Sequence, residues 1–149
     1  MTRATDLLLA YENLDWETYV ELSDDLAAID PLNIDGELMK QAQKFSYYAG
    51  LSEYAKKDCS ILKIRLENCQ ASARIKGQAE CEARGVRPTV SVLDSYVHSD
   101  ESCNEITLNL AEAESKQGLL KSLMQALSHK KDMLVQLSAN QRDEKKIYS

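Results

Sequence analysis

From Leu38 to Lys76, apolar and small residues return at alternating steps of three and four: Leu38, Ala42, Phe45, Ala49, Ser52, Ala55, Cys59, Leu62, Leu66, Cys69, Ala73 and Lys76, with one three-three irregularity at Ser52. Residues at these steps share one side of a helix, and a stripe this regular predicts a helix packed along a partner. A continuous helix from Ile34 to Arg84 would be ~75 Å long at 1.5 Å per residue. Gly50 and Gly77 lie inside it, each weakening it by ~1 kcal/mol, and either could mark a bend. A second stripe reads Ile106, Leu110, Ala113, Gln117, Leu120, Met124, Leu127, Lys131, Leu134 and Ser138. Gln117 and Lys131 interrupt it, so a wider stripe through Leu123 and Leu137 is expected to share the burial.

Turn chemistry divides the chain in three. Asp30-Pro31 reads as a helix start, an acceptor side chain followed by a residue with preset φ. Gly85-Val86-Arg87-Pro88 is the strong breaker in the middle. After it, Thr89 and Ser91 can cap a short helix to about Val97, and Ser99 with Asp100 and Glu101 opens the second long one. The expected architecture is all-α: a long antiparallel, coiled-coil-like helical hairpin over residues 31–140, with a short connecting helix. Residues 1–30 form an acidic, amphipathic arm of one or two short helices, with Asp15 and Ser23 as candidate caps. The arm docks on its own hairpin or on a neighbouring subunit. The charged tail at 141–149 is expected to fray.

Composition strengthens the helical reading and narrows the chemistry. The chain has 5 Gly, 2 Pro and 9 aromatics in 149 residues, too few for a strand-rich fold. No apolar run reaches the ~18 residues of a membrane span, and the acidic N-terminus does not read as a secretory leader. Cys59, Cys69, Cys81 and Cys103 form no C-x-x-C pair, so they read as reduced, small apolar residues inside the cell and not as a disulfide framework or zinc site. No phosphate-binding glycine motif is present, and neither His98 nor His129 has a His or Cys at metal-ligand spacing. The hairpin is expected to offer no concave pocket, and His129-Lys130-Lys131 reads as a solvated basic patch. The sequence therefore predicts neither catalysis nor a cofactor.

The net charge of −6 is arranged in blocks. Residues 1–37 carry ten acids and one base, residues 38–87 ten bases and five acids, residues 88–115 six acids and no base, and residues 116–149 seven bases and three acids. The basic block holds Lys63, Arg65, Arg74, Lys76, Arg84 and Arg87. They suit either a solvated helix face with snorkelling side chains or a track for a nucleic-acid backbone. Tyr47, Tyr48 and Tyr54, which could stack on bases, lie at the other end of the same helix. Leu51, Ile61, Leu123 and Leu137 are apolar positions that two helices alone cannot cover, so self-association is expected.

Several stretches resemble a family of tailed-phage proteins. They are Asp30-Pro31-Leu32-Asn33, Gly36-Glu37-Leu38, Tyr47-Tyr48-Ala49-Gly50-Leu51, Leu62-Lys63-Ile64-Arg65-Leu66-Glu67, Arg84-Gly85-Val86-Arg87-Pro88-Thr89 and Lys130-Lys131-Asp132-Met133-Leu134-Val135-Gln136-Leu137. In order, across about residues 30–138, they are similar to the UvsY family of recombination mediators. The resemblance implies a ring-forming homo-oligomer in the cytoplasm of a phage-infected bacterium. Such a protein binds single-stranded DNA and helps load a recombinase where single-strand-binding protein already coats the strand. It also implies a DNA-binding pair at Arg74 and Lys76, followed here by Gln78-Ala79-Glu80-Cys81 where the family has aromatics. These two side chains stand ~200° apart on a straight helix, so the pair requires either a break at Gly77 or a strand shared between subunits. The charge pattern also suits a different class of protein: an oligomeric helical phage protein, structural or anti-defence, that binds another protein and no DNA.

Overall fold

A computed structural model describes residues 2–148 as five helices: α1 (Arg3–Glu12), α2 (Trp16–Ala27), α3 (Ile34–Ala83), α4 (Val90–Ser99) and α5 (Glu101–Tyr148). The protein is 88% helical with no strand among the described residues, and α3 and α5 pack together. No helix among them is long and apolar enough to cross a membrane. The fold class is the expected one.

The boundaries follow side-chain chemistry, with several shifts from the sequence reading. Thr2, Asp15 and Thr89 cap α1, α2 and α4 by accepting the backbone N–H three residues on. Ser23 falls inside α2 and caps nothing. Asp30 holds a turn, not the helix: its Oδ1 accepts the Leu32 N–H at 2.9 Å, and α3 begins three residues beyond Pro31. The cap of α5 is Asp100, whose Oδ1 accepts the Cys103 N–H at 2.9 Å, while Ser99 still belongs to α4. Gly85, at φ 69°, ends α3. Its N–H reaches the Glu82 carbonyl and the Val86 N–H reaches that of Cys81, the paired closure that a left-handed residue permits. At the far end, residues 141–148 continue α5 as exposed helix.

The chain folds as two compact units: residues 1–55 with 116–149, and residues 56–115. In the first, α1 and α2 pack on the beginning of α3 and the second half of α5. Tyr11, Leu14 and Leu26 of the arm join Tyr48, Leu51, Ala55, Leu120, Leu123 and Leu127 in one core. The arm thus covers Leu51 and Leu123, which were expected to drive association; both are buried within their own chain. Lys116 ties the arm down, donating from Nζ to the carbonyls of Tyr11 (3.1 Å) and Glu12 (3.0 Å). Those carbonyls end α1, whose own last turn carries no basic residue, so α5 supplies the cation that the helix dipole favours there.

The seam of α3 in this unit runs through Ile34, Gln41, Tyr48 and Leu51, not through Leu38, Ala42 and Phe45. With α1 and α2 also packed on the helix, burial turns toward the arm and leaves the expected stripe beside it. That stripe, with Leu127, Lys131 and Val135 of α5, lines an open and largely apolar groove of about 580 Å³, where no concavity was expected. Lys130, read as solvated, is 3% exposed. Its Nζ lies 3.3 Å from Glu37 Oε1, and Glu37 Oε2 accepts the Asp30 N–H, so the buried cation has a partner that is itself anchored.

In the second unit, α3 runs antiparallel to the start of α5, with α4 beside them. Its core is two small clusters: Cys59, Leu62 and Ala113, then Ala73, Val97 and Cys103. Gly77 does not bend α3, which is unbroken from Ile34 to Ala83. It is a notch: a Cβ there would lie 2.6 Å from a ring carbon of Tyr96 on α4. The Tyr96 hydroxyl then donates to Glu80 Oε2 at 2.7 Å and fixes α4 against α3.

Candidate nucleic-acid interface

All six basic residues singled out from the sequence lie in the second unit, five of them on α3 or its cap and Arg87 in the turn that follows. The straight helix sorts them. Lys63 and Arg74 are eleven residues apart, three full turns, and so lie within ~20° of one another. Arg65 and Lys76 have the same spacing and form a second row, ~200° round the helix from the first. The implied pair, Arg74 and Lys76, is therefore split between two faces, and no break at Gly77 brings it together.

The two rows meet different surroundings. Lys63 Nζ lies 3.9 Å from Glu114 on α5, and Arg74 Nη2 lies 3.4 Å from Asp94 on α4. The first row thus spends its charge on the acidic block at 88–115, as the charge order along the chain invites. Arg65, Lys76, Arg84 and Arg87 are exposed and have no ion-pair partner among the described residues. The tyrosines that could stack on bases sit in the first unit, each against another tyrosine ring. Tyr48 is buried against Tyr47, and Tyr54 meets the edge of Tyr11.

Between the two cation rows, on the side of α3 away from its core, runs a strip of exposed apolar residues. Ile61 is 37%, Ile64 58% and Ile75 68% exposed, with Asn68 between them at the same seam spacing. Of these only Ile61 was expected. The signal was present, since 61, 64, 68 and 75 keep the steps of three, four and seven that define a packing seam. The denser stripe on the opposite side of the helix masked it.

Cys69 of α3, Asp100 and Cys103 converge at the junction of α4 with α5. The two Sγ atoms are 2.9 Å apart, and Cys69 Sγ is 3.8 Å from Asp100 Oδ1. Burial, the neighbouring Cys69 thiol and the Asp100 charge push the Cys103 thiol up to about 12. The Cys103 amide, helped by the Lys76 ammonium, holds the Asp100 carboxyl below the usual carboxylate range.

Compared with protein-family models, with curated proteins and with solved structures, the chain matches none.

Proposed function

We propose that the protein is a single-stranded-DNA-binding recombination mediator that works as a homo-oligomer and helps load a recombinase onto a strand coated with single-strand-binding protein. The observation that carries this reading is the row formed by Arg65 and Lys76, exposed and with no carboxylate at ion-pair distance among the described residues, with Arg84 and Arg87 also exposed where α3 ends. Arg65 and Lys76 stand ~16 Å apart along α3, the rise of about five stacked nucleotides. Contacts of this kind go to phosphates, so binding would be sequence-tolerant and sensitive to salt. One such row is a weak grip. The strip of Ile61, Ile64, Asn68 and Ile75 supports the other half of the reading, because a second copy covering it would repeat the row and turn modest contacts into avidity.

The test pairs two measurements on the full chain. A labelled oligonucleotide titrated at low salt is expected to bind with an affinity that falls steeply as salt rises. Light scattering of the same sample is expected to give a mass several times that of one chain. A monomer that leaves the oligonucleotide free at low salt overturns the proposal. That outcome favours a helical phage protein that binds another protein. Support for this second reading comes from the apolar groove lined by Leu38, Ala42, Phe45, Leu127 and Val135, and from the acids already paired with Lys63 and Arg74.

A further inference from the structure

We propose that Cys69, Asp100 and Cys103 form a binding site for a thiophilic divalent cation of the zinc class. It rests on the second unit's geometry alone and is independent of the DNA-binding reading. The donors come from two places in the sequence: Cys69 from α3, and Asp100 with Cys103 from the cap and first turn of α5. Their ligand atoms nevertheless lie within 4.8 Å of one another. Spacing rules look for cysteines a few residues apart on one turn. Here the antiparallel pairing of α3 and α5 brings together two thiols 34 residues apart in the chain.

The geometry is close to that of a tetrahedral ion. With bonds of about 2.3 Å to sulfur and about 2.1 Å to oxygen, two thiolates on one zinc stand roughly 3.8 Å apart, and a thiolate and a carboxylate oxygen roughly 3.6 Å. The Cys69–Asp100 distance, 3.8 Å, already matches. The two sulfurs, at 2.9 Å, must separate by about 0.9 Å, which small rotations about χ1 supply. The same Oδ1 accepts the Cys103 N–H at 2.9 Å, a bond that fixes the carboxylate beside the two thiols. Cys103 is 2% exposed, whereas Cys69 and Asp100 are half-buried, so the cluster is open on one side to an entering ion and to water as a fourth ligand.

Charge also fits. Two thiolates and a carboxylate around a divalent cation sum to one negative charge, and Lys76 is near enough to act on Asp100. Two of three donors are soft, which selects zinc, cadmium or cobalt over magnesium or calcium. The alternative use of two adjacent thiols is a disulfide, formed with loss of two protons and two electrons to an oxidant such as peroxide. Disulfide formation needs that oxidant, whereas metal binding needs only that the thiols lose their protons to solvent as the cation binds.

The experiment uses the full chain, reduced, freed of metal with a chelator and titrated with cobalt(II). The expected result is one equivalent bound, with the visible bands of tetrahedral cobalt and a near-ultraviolet cobalt–thiolate band, both abolished by zinc. Zinc, but not magnesium, raises the melting temperature. Cys69→Ser and Cys103→Ser each remove most of the thiolate band and weaken zinc binding by about tenfold or more. Asp100→Asn, which keeps the helix cap and hence the helical circular dichroism, weakens zinc binding as well. Cys59→Ser and Cys81→Ser leave the spectrum unchanged. The proposal is overturned if the wild-type chain gives no thiolate band while all four thiols titrate as free, or if the band survives both Cys69→Ser and Cys103→Ser. It is equally overturned if the chain, purified without reductant, has lost two hydrogens in mass and its Cys69 and Cys103 thiols resist alkylation until reduced.

Discussion

The same two helices build both units from different materials. In the first, α5 contributes Leu120, Leu123, Leu127 and Leu134, the largest fully buried side chains, and the arm adds Tyr11, Leu14 and Leu26. In the second, α3 and α5 meet through Cys59, Ala73, Cys103 and Ala113, with Leu62 and Val97 as the larger members. Burial stabilises by ~0.8 kcal/mol per methylene, so the first unit holds most of the apolar contribution. The second gains something else from its small residues. Gly77 and its neighbours let α4 approach closely, and the unpaired cations, the thiols and the exposed isoleucine strip all gather there. Stability and chemistry are segregated along one pair of helices.

The largest effects should follow that division. Leu120→Ala or Leu123→Ala is expected to cost about 2–5 kcal/mol, while Cys59→Ala or Val97→Ala costs about 1 kcal/mol. Urea unfolding of the four variants makes the comparison, and equal losses would break it. Amide exchange sharpens it: residues 56–115 are expected to open at lower free energy than the core around Leu123.

Next in size is the buried ion pair of the first unit. Lys130→Met leaves Glu37 charged, half-covered and short of its partner, at a cost of about 3 kcal/mol. Adding Glu37→Gln should recover a large part of that, because the amide can still offer an oxygen to the Asp30 N–H. A double variant no more stable than Lys130→Met would mean that the lost packing of the lysine stem, not the stranded carboxylate, set the cost.

What could be read in advance had a local cause. Helix existence came from periodicity and composition, and the caps at Asp15 and Thr89 from residue type. The wide seam of α5 through Leu123 came from the polar interruptions at Gln117 and Lys131. What could not be read depended on a third element. The arm rotates burial on α3 from Phe45 toward Tyr48, and only the folded arm reveals this. Lys130 and Lys131 are indistinguishable in sequence, yet one helical step of 100° puts the first in the core and the second on the groove. The basic residues were legible as a block but not as two rows. Which of them stay unpaired is decided by Asp94 and Glu114, which come from other helices.

A smaller effect separates two glycines. Gly77→Ala gains helix propensity but drives a methyl into the Tyr96 ring, for a net loss of about 1–2 kcal/mol. Gly118→Ala, in the first unit, meets nothing within 4 Å and should stabilise by about 0.5–1 kcal/mol. The pair is read by thermal melting. Opposite signs are expected, and stabilisation by both would show that Tyr96 does not need the notch.

The last comparison lies within the second unit and should hardly move stability at all. Arg65→Ala with Lys76→Ala removes exposed side chains that have no ion-pair partner among the described residues, so the unfolding free energy should stay within about 0.5 kcal/mol of wild type. Lys63→Ala with Arg74→Ala removes an equal charge but breaks two exposed pairs, each worth under about 1 kcal/mol. On stability alone the two double variants are nearly alike. On single-stranded DNA they should part. A cation already facing a carboxylate must give up that partner to meet a phosphate, whereas Arg65 and Lys76 have none at ion-pair distance among the described residues, and Lys76 meets Asp100 only at longer range. Loss of the Arg65–Lys76 row should therefore lower the slope of log affinity against log salt by about 0.7 per contact, about 1.4 per chain, and loss of the Lys63–Arg74 row by clearly less. Repetition of the row in an oligomer would multiply the first effect, while Lys145→Ala with Lys146→Ala, at the exposed end of α5, sets the background for diffuse attraction. Equal losses for all three pairs would mean that DNA reads only net charge and that the alignment of Arg65 with Lys76 carries no function.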